Sequence, residues 1–391
     1  MTLATGPASS DSLLGNYKRA PMQLVDGQGV HLVDAEGRRY LDFVSGIAVN
    51  ALGYGDAGLR RAMHAAADGL IHVSNLYASE PGERLAATLV EKSFASRIFF
   101  CNSGAEANEG AFKFARRWGR THGEAKHEII AVRGAFHGRL FATLAATDRP
   151  SYRAPFGPLA PGIAIVERDI EDLNVALRSD SVAALILEPI QGEGGVRVLD
   201  AGFVREVRAL TVERNVALIF DEIQCGLGRT GRLFAYENFG VEPDMLTLAK
   251  PIAGGLPMGA ILINEQIAST IKAGDHGTTF GGGPFVASIA NYVMDRISEP
   301  AMLRHISEDG AWLGRELQAI AQRTGRIRAV RGLGYMWGID VMGTAAHVVN
   351  EALVAGLLLC SAGDYTVRIL PPLVATREEL AVGLGILEAI L

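Results

Sequence analysis

Short apolar runs punctuate the middle of the chain, at residues 97–101, 129–132, 163–166, 182–188, 216–221, 245–250 and 260–264. Each has the length of a strand, and alanine-rich, helix-like stretches lie between several of them. Alternation of this kind predicts an α/β region built on a mostly parallel sheet, covered by helices on both faces. The flanks read differently. Residues 22–50 look β-rich, with a hairpin over 30–37 that turns near Gly37. A glycine-rich break at 274–284 is followed by a long helical stretch, a strand at 334–341, another helix and a strand at 366–370. Pro371-Pro372 stops that strand, and Thr376 to Glu379 has capping-box spacing for a last helix. The expectation is a large domain over 58–284 and a smaller α/β domain assembled from an N-terminal segment, 1–57, and a C-terminal segment, 285–391.

Bulk properties narrow the function. The chain has 391 residues, 49% hydrophobic and 20% charged, with a net charge of −6. That balance suits a soluble globular enzyme, and the lack of a basic block argues against a nucleic-acid partner. Cys101, Cys225 and Cys360 are far apart and form no CxxC, which suits a reducing cytoplasm. Residues 1–12 lack the basic-then-apolar order of a signal peptide, and the longest apolar run, 352–360, is too short to span a bilayer. The histidines show no metal-ligand spacing, so no metal site is expected.

Two run ends carry reactive groups. The run at 216–221 ends in Asp221, and the run at 245–250 ends in Lys250, just before Pro251. A lysine and an acid at strand C-terminal tips are what a protein needs to hold pyridoxal 5'-phosphate (PLP). The lysine forms a Schiff base with the aldehyde, and the acid keeps the pyridine nitrogen protonated so that the ring accepts electrons. Taken alone, Lys250 reads as a surface lysine after a strand. Its surroundings change the weighing. After the run at 97–101 comes Asn102-Ser103-Gly104-Ala105-Glu106, where Ser103 and Glu106 have capping-box spacing; free N–H groups at such a helix start suit a phosphate. Phe136 and Arg139 follow the run at 129–132, offering a ring to stack and a fork for a carboxylate. Glu188 opens a glycine-rich loop that also carries Glu193. In an open α/β sheet all these strand ends share one ligand-binding edge. A competing signal, Gly226-Leu227-Gly228-Arg229-Thr230-Gly231, matches GxGxxG, but it does not directly follow the strand or open a small-residue helix.

Taken together, Asn102 to Asn108, Phe136-His137-Gly138-Arg139, Glu188 to Gly195, Phe220 to Gln224, Lys250 and Thr278 to Gly282 resemble the class III, or ω-amino, aminotransferases of PLP fold type I. The likeness runs in order from about Tyr17 to Leu391. Within that family the sequence is most similar to enzymes acting on N-acylornithines, with Gly46-Ile47-Ala48-Val49-Asn50 and the tail from Cys360 to Pro372 in support. The resemblance implies roles. Lys250 is the Schiff-base lysine and proton carrier, Asp221 partners the pyridinium nitrogen, Gln224 contacts the ring hydroxyl and Glu188 supports this shell. Ser103, Gly104 and Ala105 hold the phosphate, and Phe136 stacks on the ring. Thr279 reaches the phosphate of a neighbouring subunit's cofactor, implying a homodimer with shared sites. Arg139 clamps a substrate carboxylate. Glu193 and Arg368 form a switch: paired for the ω-amine, unpaired for glutamate. Tyr17 helps hold the substrate carboxylate, and Asn75 or Tyr77 lines the entrance. The chain departs from the family at Gly53-Tyr54-Gly55-Asp56-Ala57, where relatives often show G-H-x-H-P, and at Gly283.

The implied reaction moves the δ-amino group of an N-acylornithine such as N-acetylornithine to 2-oxoglutarate, giving the semialdehyde and glutamate. Other class III substrates (succinylornithine, carrier-linked lysine, ornithine, 4-aminobutyrate) remain open. So does an aminomutase or decarboxylase of the same fold. A dinucleotide-dependent oxidoreductase using residues 226–231 is the reading from a different class.

Overall fold

The computed structural model describes residues 12–391, so the reading of residues 1–12 as lacking a signal peptide falls almost wholly outside them. Seven strands form the central sheet, in the order Arg97–Cys101, Gly259–Ile263, Met245–Leu248, Ala217–Asp221, Val182–Leu187, Glu128–Val132 and Ile163–Val166. Gly259–Ile263 runs antiparallel to both its neighbours, and the remaining pairings are parallel. Every residue of Val182–Leu187 and Ala217–Asp221 is buried, which is why these strands read as continuous apolar runs.

The helix Gly104–Gly119 lies on this sheet and buries Ala107, Ala111, Phe114, Ala115 and Trp118 along one face. Gly110 lets it approach: a Cβ there would come within 2.6 Å of Ile261. Register places Asp221 beside Thr247, and Phe220 beside Leu187. The C-terminal ends of the six strands that run in one direction therefore meet at one edge, as the sequence pattern requires of a ligand site in this architecture.

Two four-stranded sheets flank this layer, and a two-stranded one, Ile190–Gln191 with Arg197–Val198, frames the loop between them. Leu24–Gln28, His31–Asp34 and Arg39–Asp42 form an antiparallel meander whose open side is closed by Leu357–Leu358, from the far end of the chain. The other sheet orders Ile327–Leu333, Met336–Val341, Thr366–Ile369 and Cys360–Ala362. The strand Ile327–Leu333 is not apparent in the apolar pattern, because it is an edge strand carrying Arg328 and Arg331, mostly half-buried. Gly334 and Tyr335 are its turn rather than the start of the next strand. The long helical stretch is two helices, Pro284–Ile297 and Pro300–Thr324, broken where Pro300 can only begin a helix. Thr376 forms its capping box with Glu379.

Residues 226–231 are a buried crossover. Arg229, 2% exposed, donates to the carbonyls of Tyr335 and Pro371, tying the strand end at Asp221 to the C-terminal sheet. Burial lowers its pKa to about 9. Gly228 and Gly231 have φ of +86° and +85°, which glycine tolerates without strain. No helix among the described residues is long and apolar enough to cross a membrane.

Candidate active site

Asp221 closes its strand with both carboxylate oxygens engaged. Oδ2 accepts from His137 Nδ1 and from Asn108 Nδ2, each at 2.8 Å, and Oδ1 accepts from the Ile223 amide at 3.1 Å. Asn108 also donates to the His137 carbonyl at 2.8 Å and accepts from Thr247 Oγ1 at 2.8 Å. A chain of donors thus runs from one strand, through the helix Gly104–Gly119, to the acid on the next strand. Asn108, His137 and Thr247 are buried and have no role assigned from sequence. Their signal was present: Thr247 is the polar residue inside an apolar run, and Asn108 sits among the buried alanines of its helix. His137 Nε2 is buried and has no hydrogen-bond partner.

Lys250 stands two residues beyond its strand, at the first position of the short 3-10 turn Lys250–Ala253. Its φ of +31° is unusual for a residue with a side chain and holds the backbone in a sharp reversal before Pro251. Burial pushes the ammonium pKa below its usual value, although the Asp221 carboxylate pulls the other way. The amine therefore loses its proton more readily than a surface lysine does.

Ser103 caps the helix Gly104–Gly119, its Oγ accepting from the Glu106 amide at 3.2 Å. The expected box is displaced by one residue: Glu106 Oε2 accepts from the Asn102 amide at 2.7 Å rather than from that of Ser103. Gly104 and Ala105, in the first helical turn, have no intrahelical acceptor for their N–H groups and line the cavity. A side chain at Gly104 would collide with Ile223, 2.7 Å from its Cβ position.

The loop after Glu128–Val132 supplies Phe136 and Arg139. The Phe136 amide donates to Glu188 Oε1 at 2.9 Å, so Glu188 positions the loop that bears the ring. Burial raises the Glu188 pKa to about 7. The Arg139 guanidinium lies 3.8 Å from the centre of the Tyr152 ring, and Tyr152 also meets Phe136 edge to face at 6.5 Å. Tyr152 is a further residue not singled out from sequence; a lone tyrosine in the one-turn helix Pro150–Arg153 gives no pattern.

Arg368, 1% exposed, pairs with Glu193 at 2.7 Å and donates to Gln224 Oε1 at 2.9 Å. Gln224 is thus engaged with Arg368 as well as lining the cavity. Ser103, Gly104, Ala105, Phe136, Arg139, Glu188, Glu193, Asp221, Gln224, Lys250 and Tyr17 all border one cavity of about 520 Å³. Arg368 stands behind Glu193. Thr279 lies outside this cavity, exposed, on a loop anchored by Asn102 to Thr278 Oγ1 and by Asn75 to the Thr278 carbonyl, both at 2.9 Å. Tyr77 is also outside it and 72% exposed. The unusual Tyr54 and Asp56 have structural work: Tyr54 donates to buried Asp42 at 2.7 Å, and Asp56 caps the helix Ala57–Ala67 through the Leu59 amide. Gly283 is the N-cap of Pro284–Ile297.

This donor set suits a flat, phosphorylated heteroaromatic aldehyde. One end offers helix-start amides, the other a carboxylate held ready for a ring N–H, with an amine of lowered pKa between them and an aromatic wall. Among the described residues no three His, Cys, Asp or Glu side chains are grouped as metal ligands would be.

Comparison with known proteins agrees with the geometry. The family model "Aminotransferase class-III" matches residues 15–391. An acetylornithine aminotransferase of Methanocaldococcus jannaschii is 45% identical over 366 residues, 93% of this chain and 92% of that protein. The crystal structure of N-acetylornithine aminotransferase from Stenotrophomonas maltophilia superposes with a TM-score of 0.83 at 37% identity, covering 94% of this chain and 95% of that one. An ornithine aminotransferase of Toxoplasma gondii, described with partial occupancy of PLP at its active site, gives a TM-score of 0.93 at 28% identity, covering 97% and 91%. With a match that spans the sheet, the cavity and the C-terminal strand bearing Arg368, the chain belongs to the class III aminotransferases.

Proposed function

We propose that this aminotransferase uses PLP to move the δ-amino group of N-acetylornithine to 2-oxoglutarate, giving N-acetylglutamate semialdehyde and glutamate, a step of arginine biosynthesis. The observation that carries the reading is the Arg368–Glu193 pair at the wall of the cavity that holds Lys250. A site that must accept a neutral acylated arm and then a second carboxylate needs a cation that can be masked. An uncompensated buried guanidinium would be costly, and a resident glutamate removes that cost.

When bound, PLP supplies an electrophilic carbon for the substrate amine and a ring that takes up electrons from the adjacent carbon. The remaining tasks belong to the chain. Gly104 and Ala105 amides and Ser103 anchor the phosphate. Phe136 stacks on the ring, and Asp221, fixed by His137 and Asn108, holds a proton at the ring nitrogen. Lys250, with its lowered pKa, would take a proton from the amine-bearing carbon and return it to the carbon on the other side of the nitrogen, two bonds away. Arg139 receives the α-carboxylate of the acylornithine and then the γ-carboxylate of glutamate, whose α-carboxylate goes to Arg368. Tyr17 assists at the mouth.

The working unit in this reading is a homodimer. Thr279 faces outward beside Phe280, 65% exposed, and Ile71, Leu76 and Tyr77 are 57%, 85% and 72% exposed. The contact of His72 with Phe280, ring centres 5.5 Å apart, and that of Asn75 with Thr278 join these segments into one apolar face, suited to a second copy that brings Thr279 to the neighbouring phosphate. Three unpaired thiols suit a cytoplasmic location. Steady-state rates with N-acetylornithine, N-succinylornithine, ornithine and 4-aminobutyrate, each against 2-oxoglutarate, test the substrate. N-acetylornithine should give the highest kcat/KM; a higher value for free ornithine would move the assignment to that amine.

A further inference from the structure

The loop bearing Glu193 is gripped from outside in an unusual way. Three successive carbonyls, those of Glu193, Gly194 and Gly195, each accept from a different arginine: Arg149, Arg197 (3.2 Å) and Arg331 (2.6 Å). Gly195 at φ +99° and Val196 at φ +54° complete a backbone with little freedom to swing, and Val196 is fully buried. Whatever Glu193 does when its partner is taken, it does by turning its side chain.

Behind the loop lies a second, polar cavity of about 190 Å³. Glu193 borders it, as do Arg149, Arg197, Asp340 and Asp364. Its acids and bases are not paired with one another in salt bridges. Asp340 is consumed by Arg331 in a two-pronged pair at 2.6 and 2.7 Å, with Thr366 as a further donor. Asp364 is exposed. Neither Arg149 nor Arg197 has a carboxylate within ion-pair distance among the described residues. Two arginines without a direct salt bridge, Arg197 acting on Asp340 only at longer range, thus stand beside the glutamate that has to leave Arg368.

We infer that this cavity is where the Glu193 carboxylate rests during the dicarboxylate half of the cycle, with Arg149 and Arg197 as the positioning residues that receive it. The inference rests on the proposed Glu193–Arg368 switch. It adds that the switch has two seats rather than one. Leaving Arg368 for open water would expose the freed carboxylate to competition with the incoming one. Moving to a second guanidinium pair keeps it charged, close and out of the substrate's way.

The test uses the holoenzyme and follows each half-reaction separately by its absorbance change in single turnovers. Arg149→Gln and Arg197→Gln should each raise the half-saturating glutamate concentration relative to that for N-acetylornithine by about tenfold, equivalent to ~1.4 kcal/mol. Arg149→Lys, which keeps the charge, should recover most of that ratio. In a Glu193→Ala background, with no carboxylate to receive, Arg149→Gln should add nothing further, as a double-mutant cycle would show. Equal losses in both half-reactions, or a loss that persists without Glu193, would mean that Arg149 only braces the loop and would overturn the inference. Glu193→Ala alone separates the two ideas. If it fails to favour glutamate over N-acetylornithine, the switch itself is wrong. If it does favour glutamate while both arginine variants keep the parent ratio, the second seat alone is wrong.

Discussion

The floor of the cavity and its wall are built to opposite specifications. Under the cofactor site, Asp221, Asn108, His137 and Thr247 come from two neighbouring strands, a helix packed on them and the tight loop 136–139, and hydrogen bonds of 2.8 Å link them. Across from them, Arg139, Glu193 and Arg368 come from two loops and a C-terminal strand, and an ion pair, which in the proposed reading a substrate displaces, joins Glu193 to Arg368. Proton transfer needs atoms that stay put while charge develops, since preorganised groups act without reorganisation at the moment of reaction. Serving two substrates of different charge needs a group that can be uncovered. In the proposed reading the first task falls to the sheet edge and the second to segments hung around it.

The sharpest way to test that division is to remove one group from each side. Lys250→Ala should reduce turnover by about 10⁴-fold with either substrate, the upper end of what a positioned proton carrier contributes, and should abolish borohydride-sensitive absorbance. Near-normal turnover would remove the floor from the comparison altogether. Arg368→Ala should divide the substrates: KM for 2-oxoglutarate rises about 100-fold, within the range for truncating one member of a buried charge pair, while that for N-acetylornithine moves far less. A parallel rise for both would show that the wall does not switch. His137→Ala leaves the buried Asp221 carboxylate short of a donor, so it should lower unfolding stability by about 2 kcal/mol in urea titrations. It should reduce kcat more than KM, because it acts through the ring nitrogen's partner and not through substrate contacts.

The last test concerns pH. Glu222, next to Asp221, is buried and accepts from the Ala235 and Tyr236 amides, and burial raises its pKa to about 8. The folded protein therefore holds a proton that the unfolded chain releases at about pH 4.3. The stability this provides is complete below that pH and is lost as pH rises through about 8. Between pH 5.5 and 8.5, the urea midpoint of the parent should fall more than that of Glu222→Gln. Equal slopes would place the proton elsewhere.

How much of this was legible in the sequence follows from the same division. All seven central strands could be read as runs within a residue or two, and in five of them burial of nearly every residue leaves no polar face to confuse the pattern. Lys250, Asp221 and Ser103 could be read because strand ends in such a sheet face a common edge. The strand Ile327–Leu333 could not, since an edge strand with arginines on it looks like a loop. Asn108 and Thr247 stand inside apolar segments as single polar residues, and one polar residue in a core run is ambiguous until its partner is seen 139 positions away. Arg149, Arg197 and Arg331 bind backbone carbonyls, and no residue type at the other end of such a bond marks it in the sequence.

One consequence concerns how the enzyme comes into being. Glu193 waits 175 residues for Arg368, and Ser45 waits 325 for the Leu370 carbonyl that its hydroxyl binds. A chain leaving the ribosome completes the strands that carry Asp221 and Lys250 well before it can close the N-terminal meander with Leu357–Leu358. Domains assemble as their contacts become available during synthesis. In the proposed reading the part of the molecule that grips the cofactor is thus made first, and discrimination between substrates arrives only with Arg368, 175 residues after Glu193. A nascent or truncated chain would hold reactive chemistry before it holds selectivity, so premature termination near the C-terminus has a cost beyond lost stability.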